Sequence, residues 1–159
     1  MAELKNLELA KATFATLCKS LDEQEWHYNK NEEKLSIECG ARGEDLPMDF
    51  TIKVDVDRML VLLLSHLPFK IGEDKRLEAA VAVCAINNVA VDGNFDYDIS
   101  TGNIFFRITN SFLESQLDED VFQYMLQLSC QFVDKYNDRF LMLSKGMLTL
   151  EKFLETLTD

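Results

Sequence analysis

Oxygen-bearing side chains recur at every second residue near the middle of the chain, at Asp92, Asn94, Asp96 and Asp98. Residues two apart share one face of a β-strand, so a strand here would line these oxygens along one side. Such a row either binds a hard cation such as calcium or forms a solvated acidic face. The EF-hand loop needs glycine at its sixth position and glutamate at its twelfth, where this chain has tyrosine and asparagine. We therefore favour the solvated face and predict no metal site, with cation binding left as the alternative.

The other reactive side chains are scattered. The histidines, His27 and His66, fall on different predicted strands with no supporting motif. No C-x-x-C pair is present, which favours reduced core thiols over disulfides or a zinc site for all four cysteines, Cys18, Cys39, Cys84 and Cys130. The sequence has no nucleophile elbow, P-loop or dinucleotide-binding pattern. We therefore predict no catalytic residues and no cofactor, and we expect that the chain is not an enzyme.

Composition and charge limit the classes of partner that the chain is expected to bind. With 159 residues and 47% apolar content, the chain is expected to form a single soluble domain over residues 1–159. A formal net charge of -12 disfavours nucleic acids and anionic membrane surfaces, because both require a basic face. The longest apolar run, Met59–Leu64, is far shorter than the ~20 residues of a membrane span. Met1–Glu3 does not begin a signal segment, so we expect a cytoplasmic protein.

Apolar residues at three- and four-residue spacing predict a long helix near each end of the chain, at 3–21 and 118–144. The second would be about 39 Å long, roughly twice the length of a typical strand. It should therefore overhang the sheet, bend or meet a second copy. Ser115 and Asp118 resemble a capping pair at its start, and Thr149 would cap a short final helix.

Six short apolar or alternating runs predict the strands of an antiparallel sheet. They cover residues 26–28, 35–39, 48–56, 59–64, 95–99 and 104–108. Asn29–Glu32 and Thr101–Asn103 have turn chemistry and would close the first and last hairpins. Pro68 is expected to end the fourth strand. The order of helix, four strands, helix, two strands and two helices predicts an α+β fold, with helices packed on a sheet of about five to six strands.

The segment from Asp74 to Asn88 lies at the centre of this arrangement. Between Leu77 and Ile86 the only polar residue is Glu78, and most of the others are small. A helix that is apolar all round is normally buried, so we expect this one to be covered on more than one side. The residues expected to face away from water include Val81, Cys84 and Phe95.

Apolar side chains are also expected on the second face of the sheet. Met59–Leu64 is apolar at every position, and Phe105 points opposite to its neighbours Ile104 and Phe106. Burial of one leucine or phenylalanine contributes about 1.5 to 3 kcal/mol, so a bare cluster is unfavourable and should be covered. This apolar cluster is covered either by the chain's own long helices or by another protein. That protein is a second copy of the chain or a different partner. In the second case the interface residues would be Leu60, Leu62, Leu64, Phe105 and Arg107.

Five segments together resemble the YbjN family of bacteria. They are Ser65–Ile71, Asp74–Ala80, Ile86–Asn88, Val91–Asp98 and Thr101–Arg107. The family pattern comprises a Leu-Pro segment, a helix that opens with charged residues and closes at asparagine, a G-x-F-x-x-D strand, and a turn into a strand bearing tyrosine and arginine. This chain departs from it at Thr101-Gly102, where Asp-Gly is usual, and at Phe106, where tyrosine is typical. The resemblance implies a fold like that of type III secretion chaperones and a regulatory or chaperone-like role, with no established catalytic residues.

Two functions are compatible with these observations. The first is a non-enzymatic protein-interaction module, dimeric and chaperone-like or regulatory, that binds a partner protein through an apolar surface. The second is a small-ligand-binding or catalytic domain that uses an acidic cleft near the 92–109 hairpin, with Asp96 and Asp98 as polar groups. Enzymes need titratable groups placed near one another, and no such pair follows from the spacing. We therefore favour the first; the sequence does not identify the partner.

Overall fold

An amphipathic helix begins the part of the chain that the computed structural model describes, residues 2–157. The helices are α1 (Ala2–Glu23), α2 (Arg76–Val89), α3 (Glu119–Ser144) and α4 (Leu150–Glu155), and a 3-10 turn at Glu73–Lys75 leads into α2. The strands are β1 (Tyr28–Asn31), β2 (Ser36–Arg42), β3 (Pro47–Asp55), β4 (Leu60–Lys70), β5 (Asn94–Asp98) and β6 (Asn103–Ser111). The predicted element order and α+β class are confirmed.

The six strands form one sheet in the order β1-β2-β3-β4-β6-β5, with every neighbouring pair antiparallel. One row of side chains runs across four strands, because Ile37 lies opposite Ile52, Ile52 opposite Leu63, and Leu63 opposite Ile108. All four are at most 4% exposed. The buried residues of the sheet lie on this one face, where α1 and α3 cover it. We call this the inner face and the opposite side the outer face.

The long helix α3 spans the inner face. It contacts β3, β4 and β6 as well as the other three helices described, which accounts for its 26 residues. Asp118 caps its start, with Oδ1 accepting from Val121 N–H at 3.2 Å. The prediction that Ser115 takes part in this cap is wrong. Its N–H donates to the carbonyl of Phe112 instead. The predicted cap of α4 is confirmed, since Thr149 Oγ1 accepts from the Lys152 N–H.

Helix α2 is buried on one side only, so the prediction that it is covered on several sides is wrong. Its buried stripe consists of Ala79, Ala82, Val83 and Ile86. Val81 is 48% exposed and Cys84 is also exposed, whereas Phe95 on β5 is 1% exposed, as expected. Residues three and four apart suffice to pack one helix face, and the remaining apolar positions then face water. The fold depends on that stripe and on Phe95, not on complete enclosure of α2.

Two predicted strand ends are also wrong. Strand β4 continues through Pro68 to Lys70, because the β4–β6 register is irregular between His66 and Lys70. A proline has no N–H to donate, and it is tolerated where the ladder is interrupted. In the first hairpin Asn31 pairs with Ser36, so the turn begins later than the asparagine-rich segment suggests. Within residues 2–157, no helix is both long enough and apolar enough to cross a membrane.

Candidate functional site

The outer face brings together all five residues predicted as an interface. Strand alternation places Leu60, Leu62 and Leu64 of β4 there, opposite the inward-facing Val61 and Leu63. On the adjacent strand β6, Phe105 and Arg107 share this face, and Arg107 lies directly opposite Leu64. The three leucines and Phe105 are only half-buried. The helices that cover the inner face therefore do not bury this cluster.

One further residue of the cluster was not predicted. The exposed His66 follows Leu64 on the same face of β4, and its ring centroid is 5.1 Å from that of Phe105. The two residues are also cross-strand partners in the β4–β6 register. The signal was present in the sequence, because His66 continues the even-numbered series of the three leucines. We call these six residues the outer-face cluster.

A fixed ion pair borders the outer-face cluster. Arg107 Nε lies 2.9 Å from Asp96 Oδ2 on β5, and its Nη2 donates to Asp96 Oδ1 at 3.2 Å. Asn94 Nδ2 donates to the same Oδ1 at 2.7 Å. Because both charged side chains are partly exposed, the pair contributes little to stability, but it sets the direction of the guanidinium.

The aspartates of the row at residues 92–98 each bind a different partner. Asp98 accepts hydrogen bonds from the hydroxyls of Ser100 and Thr101, which lower the pKa of its carboxyl to about 2. Asp92 lies outside the strand and accepts a hydrogen bond from the Tyr124 hydroxyl at 2.6 Å, which raises the pKa of the tyrosine. Within the described residues, no three metal-ligating carboxylates, thiols or imidazoles converge.

An acidic cleft does lie next to the last hairpin. Its volume is about 500 Å³, and it separates the β5–β6 pair from the start of α3. Asp92, Asp118, Asp120 and Tyr124 contribute to its walls, whereas Asp96 and Asp98 do not line it. The carboxylates that the sequence suggested as its polar groups are thus used elsewhere.

A larger groove was missed by sequence reasoning. It has a volume of about 1090 Å³ and lies between α1, the β1–β2 hairpin and the end of β3. Phe14 and Leu35, each 6% exposed, contribute to its floor, and Cys18 lines it from the helix. Its walls come from three separate parts of the chain, so no local pattern indicates it. We call it the α1 groove.

The four cysteines are unpaired, and three of them are shielded from solvent to differing degrees. Burial raises the pKa of Cys39 to about 12 and that of Cys130 to about 11, and it also raises the pKa of Cys18. A raised pKa keeps a thiol protonated and therefore poorly nucleophilic. These three thiols behave as small apolar groups. The fourth, Cys84 on α2, is exposed to solvent.

The arrangement of helices and sheet is similar to that of proteins already solved. YbjN from E. coli, described as a candidate transcription regulator, matches with a TM-score of 0.57 at 12% identity, over 79% of this chain and 92% of that chain. A chain of the HopA1–SchA chaperone–effector complex matches with a TM-score of 0.58 at 12% identity, over 85% of this chain and 97% of that chain. No protein-family model matches the sequence, and no curated protein matches it significantly. The resemblance to YbjN is confirmed in the fold, and the chain has the α+β architecture of a type III secretion chaperone.

Proposed function

We propose that this chain is a non-enzymatic protein-binding module that acts in the cytoplasm as a chaperone or regulator. In this proposal, the outer-face cluster contacts another protein, and the chain forms a homodimer. The single observation that carries the proposal is the half-buried row of leucines with Phe105 on the sheet face opposite the helices. Similarity of fold to a chain of a chaperone–effector complex supports a protein as the ligand.

The chemistry of the outer-face cluster suits a protein contact. Its centre is aliphatic and aromatic, and its border includes Arg107, a residue type that is enriched at interfaces. Removing the remaining exposed area of three leucines and Phe105 from water on association is favourable, at ~25 cal/mol per Å². The ion pair to Asp96 keeps the arginine ordered before binding, which reduces the entropy that association would cost.

The alternative, an acidic ligand-binding or catalytic cleft near the 92–109 hairpin, has less support. A catalytic carboxyl should lie in the cleft with a shifted pKa. Asp98 has a strongly shifted pKa but closes a turn outside the cleft. Asp96 is paired with Arg107. We therefore place this function second.

Self-association tests the dimer directly. Sedimentation equilibrium at micromolar concentration should give the mass of two chains for the native protein and of one chain for Leu62→Asp, because a carboxylate in an apolar contact is desolvated without a partner. Val91→Asp is the matched control, since Val91 is apolar, 96% exposed and outside the outer-face cluster. Urea unfolding of both variants would verify that each remains folded.

Partner binding needs its own measurement. Proteins captured from native cells by the immobilised chain would be identified by mass spectrometry, and their retention compared between Leu62→Asp and Val91→Asp. Selective loss of specific proteins with Leu62→Asp is expected. A native monomer would exclude the dimer. Equal retention by the two variants would exclude the outer-face cluster as the binding surface.

A further inference from the structure

The apolar part of the outer-face cluster is narrow. Leu60, Leu62 and Leu64 follow one strand, β4, and Phe105 on β6 extends them at one end. We call these four residues the leucine strip. Polar side chains border the leucines on both sides. Their cross-strand neighbours are Asp55, Lys53 and Thr51 on β3, and Ser111, Thr109 and Arg107 on β6.

The width of the leucine strip suits a helix better than a sheet. Two sheets that pack face to face need apolar side chains on several adjacent strands. The inner face has such a row across β2, β3, β4 and β6, whereas the leucine strip occupies one strand and a single residue of the next. A second sheet laid on it would bury the polar borders. The apolar stripe of one amphipathic helix has the required width.

The area of the leucine strip leads to the same occupant. Its four side chains are half-buried, so together they expose roughly a few hundred Å² of apolar surface. Each copy in a stable dimer buries about 800 Å². The strip alone therefore supplies only part of any dimer contact, but it is sufficient for one face of a short helix.

The length of the leucine strip also corresponds to a short helix. From Leu60 to His66, which lies opposite Phe105, β4 rises about 20 Å. A helix covers this distance in about thirteen residues. Alternate residues of a strand are about 6.6 Å apart, and helix residues four apart are separated by about 6 Å. Successive turns of a helix can thus contact successive leucines.

The β6 border of the leucine strip is formally neutral. Arg107 is neutralised by its ion pair with Asp96, whose closest N–O distance is 2.9 Å. Thr109 and Ser111 continue this border, and both are exposed. A helix on the strip therefore needs no charge on the flank that lies over β6.

The β3 border carries three charges in a fixed order. Asp49 lies opposite His66, and Lys53 and Asp55 lie opposite leucines of the strip. None of the three forms an ion pair with another residue in 2–157. Their separations along the strand are about 13 Å and about 7 Å. The complementary flank of a helix has an acidic residue between two basic ones, at spacings of about two turns and one turn.

We propose that the leucine strip binds an amphipathic helix of a partner protein, with one acidic residue between two basic residues on the flank over β3. The acidic residue pairs with Lys53, and the basic residues pair with Asp49 and Asp55. Because the two spacings are unequal, the charges also fix the direction of the helix along β4. This inference rests on the proposed protein-binding function and specifies the partner of the same surface.

The test uses designed peptides of about eighteen residues, labelled with fluorescein. The matched peptide has leucines at helical spacing and a flank of lysine, glutamate and lysine, made in both sequence orders. The inverted peptide has glutamate, lysine and glutamate at those positions. A third peptide has its leucines at alternate residues, as a strand would. Solvent-facing residues give all the peptides the same net charge.

Fluorescence anisotropy should show that one order of the matched peptide binds about tenfold more tightly than the inverted peptide, because three attractive pairs replace three repulsive ones. The alternating peptide should not bind. Leu64→Asp should abolish binding of the matched peptide, since a carboxylate in the apolar contact is desolvated without a partner.

A double variant tests the charge order without a change in net charge. Asp49→Lys, Lys53→Glu should reverse the preference, so that the inverted peptide binds more tightly. Glu8→Lys, Lys11→Glu is the matched control, because it exchanges two exposed charges on α1, which packs on the inner face. The control should alter either affinity by less than about twofold.

A thiol readout locates the bound peptide, since Lys53 also borders the α1 groove. Cys18 lines that groove from α1, and its alkylation by N-ethylmaleimide should be unchanged by the matched peptide. The exposed Cys84 serves as the internal reference. Protection of Cys18 would place the peptide in the groove and overturn the inference.

The remaining outcomes separate this inference from the proposed function. Equal binding of the matched and inverted peptides, or binding of the alternating peptide, would overturn the helix while the proposed function stood, provided that Leu62→Asp still lost native partners. A native dimer that excludes the matched peptide would assign the leucine strip to a second copy and would also overturn the helix. Equal retention of native partners by Leu62→Asp and Val91→Asp would instead remove the proposed function, and this inference with it.

Discussion

The side-chain amide of Asn87 on α2 pairs with both backbone groups of Phe95 on the edge strand β5. Asn87 Nδ2 donates to Phe95 O at 2.8 Å, and its Oδ1 accepts from Phe95 N–H at 2.9 Å. One side chain thus occupies the donor and acceptor that an added strand would otherwise use. Covering an exposed edge in this way protects a sheet from pairing with other chains.

Replacement of Asn87 by alanine should destabilise the protein by about 1–3 kcal/mol, because two partly buried hydrogen bonds are lost at once. Urea unfolding measures this loss. The free edge should also increase aggregation, which light scattering detects. Asn88→Ala is the control, since Asn88 is exposed at the next position of the same helix. Equal stability of the two variants would contradict the role of the Asn87–Phe95 pair.

Gly93 is required for two separate reasons. Its φ is +72°, and a Cβ built on it would overlap the ring of Phe106, which is fully buried. Gly146 has a similar φ of +68° but open space around it. Gly146→Ala should therefore cost about 1–2 kcal/mol from backbone strain alone.

Gly93→Ala should cost a further ~1–3 kcal/mol from overpacking against Phe106. Thermal or urea unfolding of both variants checks the difference. Loss of stability that is no greater for Gly93→Ala than for Gly146→Ala would mean that the Phe106 ring moves aside without strain. A folding failure of Gly93→Ala, with Gly146→Ala intact, would agree with the prediction.

Asp98 should make stability depend on acid pH. Hydrogen bonds from Ser100 and Thr101 lower its folded pKa from 3.8 to about 2. A lowered folded pKa stabilises the folded state above pH 3.8, and this contribution is lost as pH falls from 3.8 towards 2. The melting temperature of the native protein should therefore exceed that of Asp98→Asn at pH 7, and the gap should narrow across that window. A gap that is constant with pH would contradict this assignment.

Asp134 of α3 should restrain the loop between β2 and β3. Its Oδ1 accepts from the Glu44 N–H at 2.8 Å, and Gly43 next to it allows the close approach. In Asp134→Ala, the Glu44 amide should exchange with solvent about tenfold faster, while global stability falls by only about 1 kcal/mol. Asp134→Asn retains an acceptor oxygen and should have a smaller effect. Unchanged exchange in Asp134→Ala would show that other contacts hold the loop.

Local pattern was sufficient for the kinds and order of the elements. In β3 the predicted alternation corresponds to the burial of Met48, Phe50, Ile52 and Val54, because side chains of a strand point to opposite faces. The same rule correctly placed the five predicted interface residues on one face. Their role in binding stays a prediction, as does the single domain over residues 1–159.

Local pattern was insufficient where the same run of residue types fits both a buried and an exposed position. Along α2 almost every position is apolar, so periodicity cannot distinguish the buried Ala82 from the exposed Val81. Packing made that choice, through the stripe that faces the rest of the core. Pro68 likewise could stay in β4 because the pairing of β4 with β6 is irregular there, and that is a property of the pair and not of one strand.

The chain's sequence alone thus determined the α+β class, the antiparallel hairpins and the two-sided apolar character of β4. The tertiary structure alone decided which side of α2 faces water, that Asn87 closes the β5 edge, and that an α1 groove exists. The physical reason is the distance along the sequence over which each effect acts. Hydrophobic periodicity acts between residues a few positions apart, whereas Phe14, Cys18 and Leu35 come to line one groove only after the sheet and α1 have packed together.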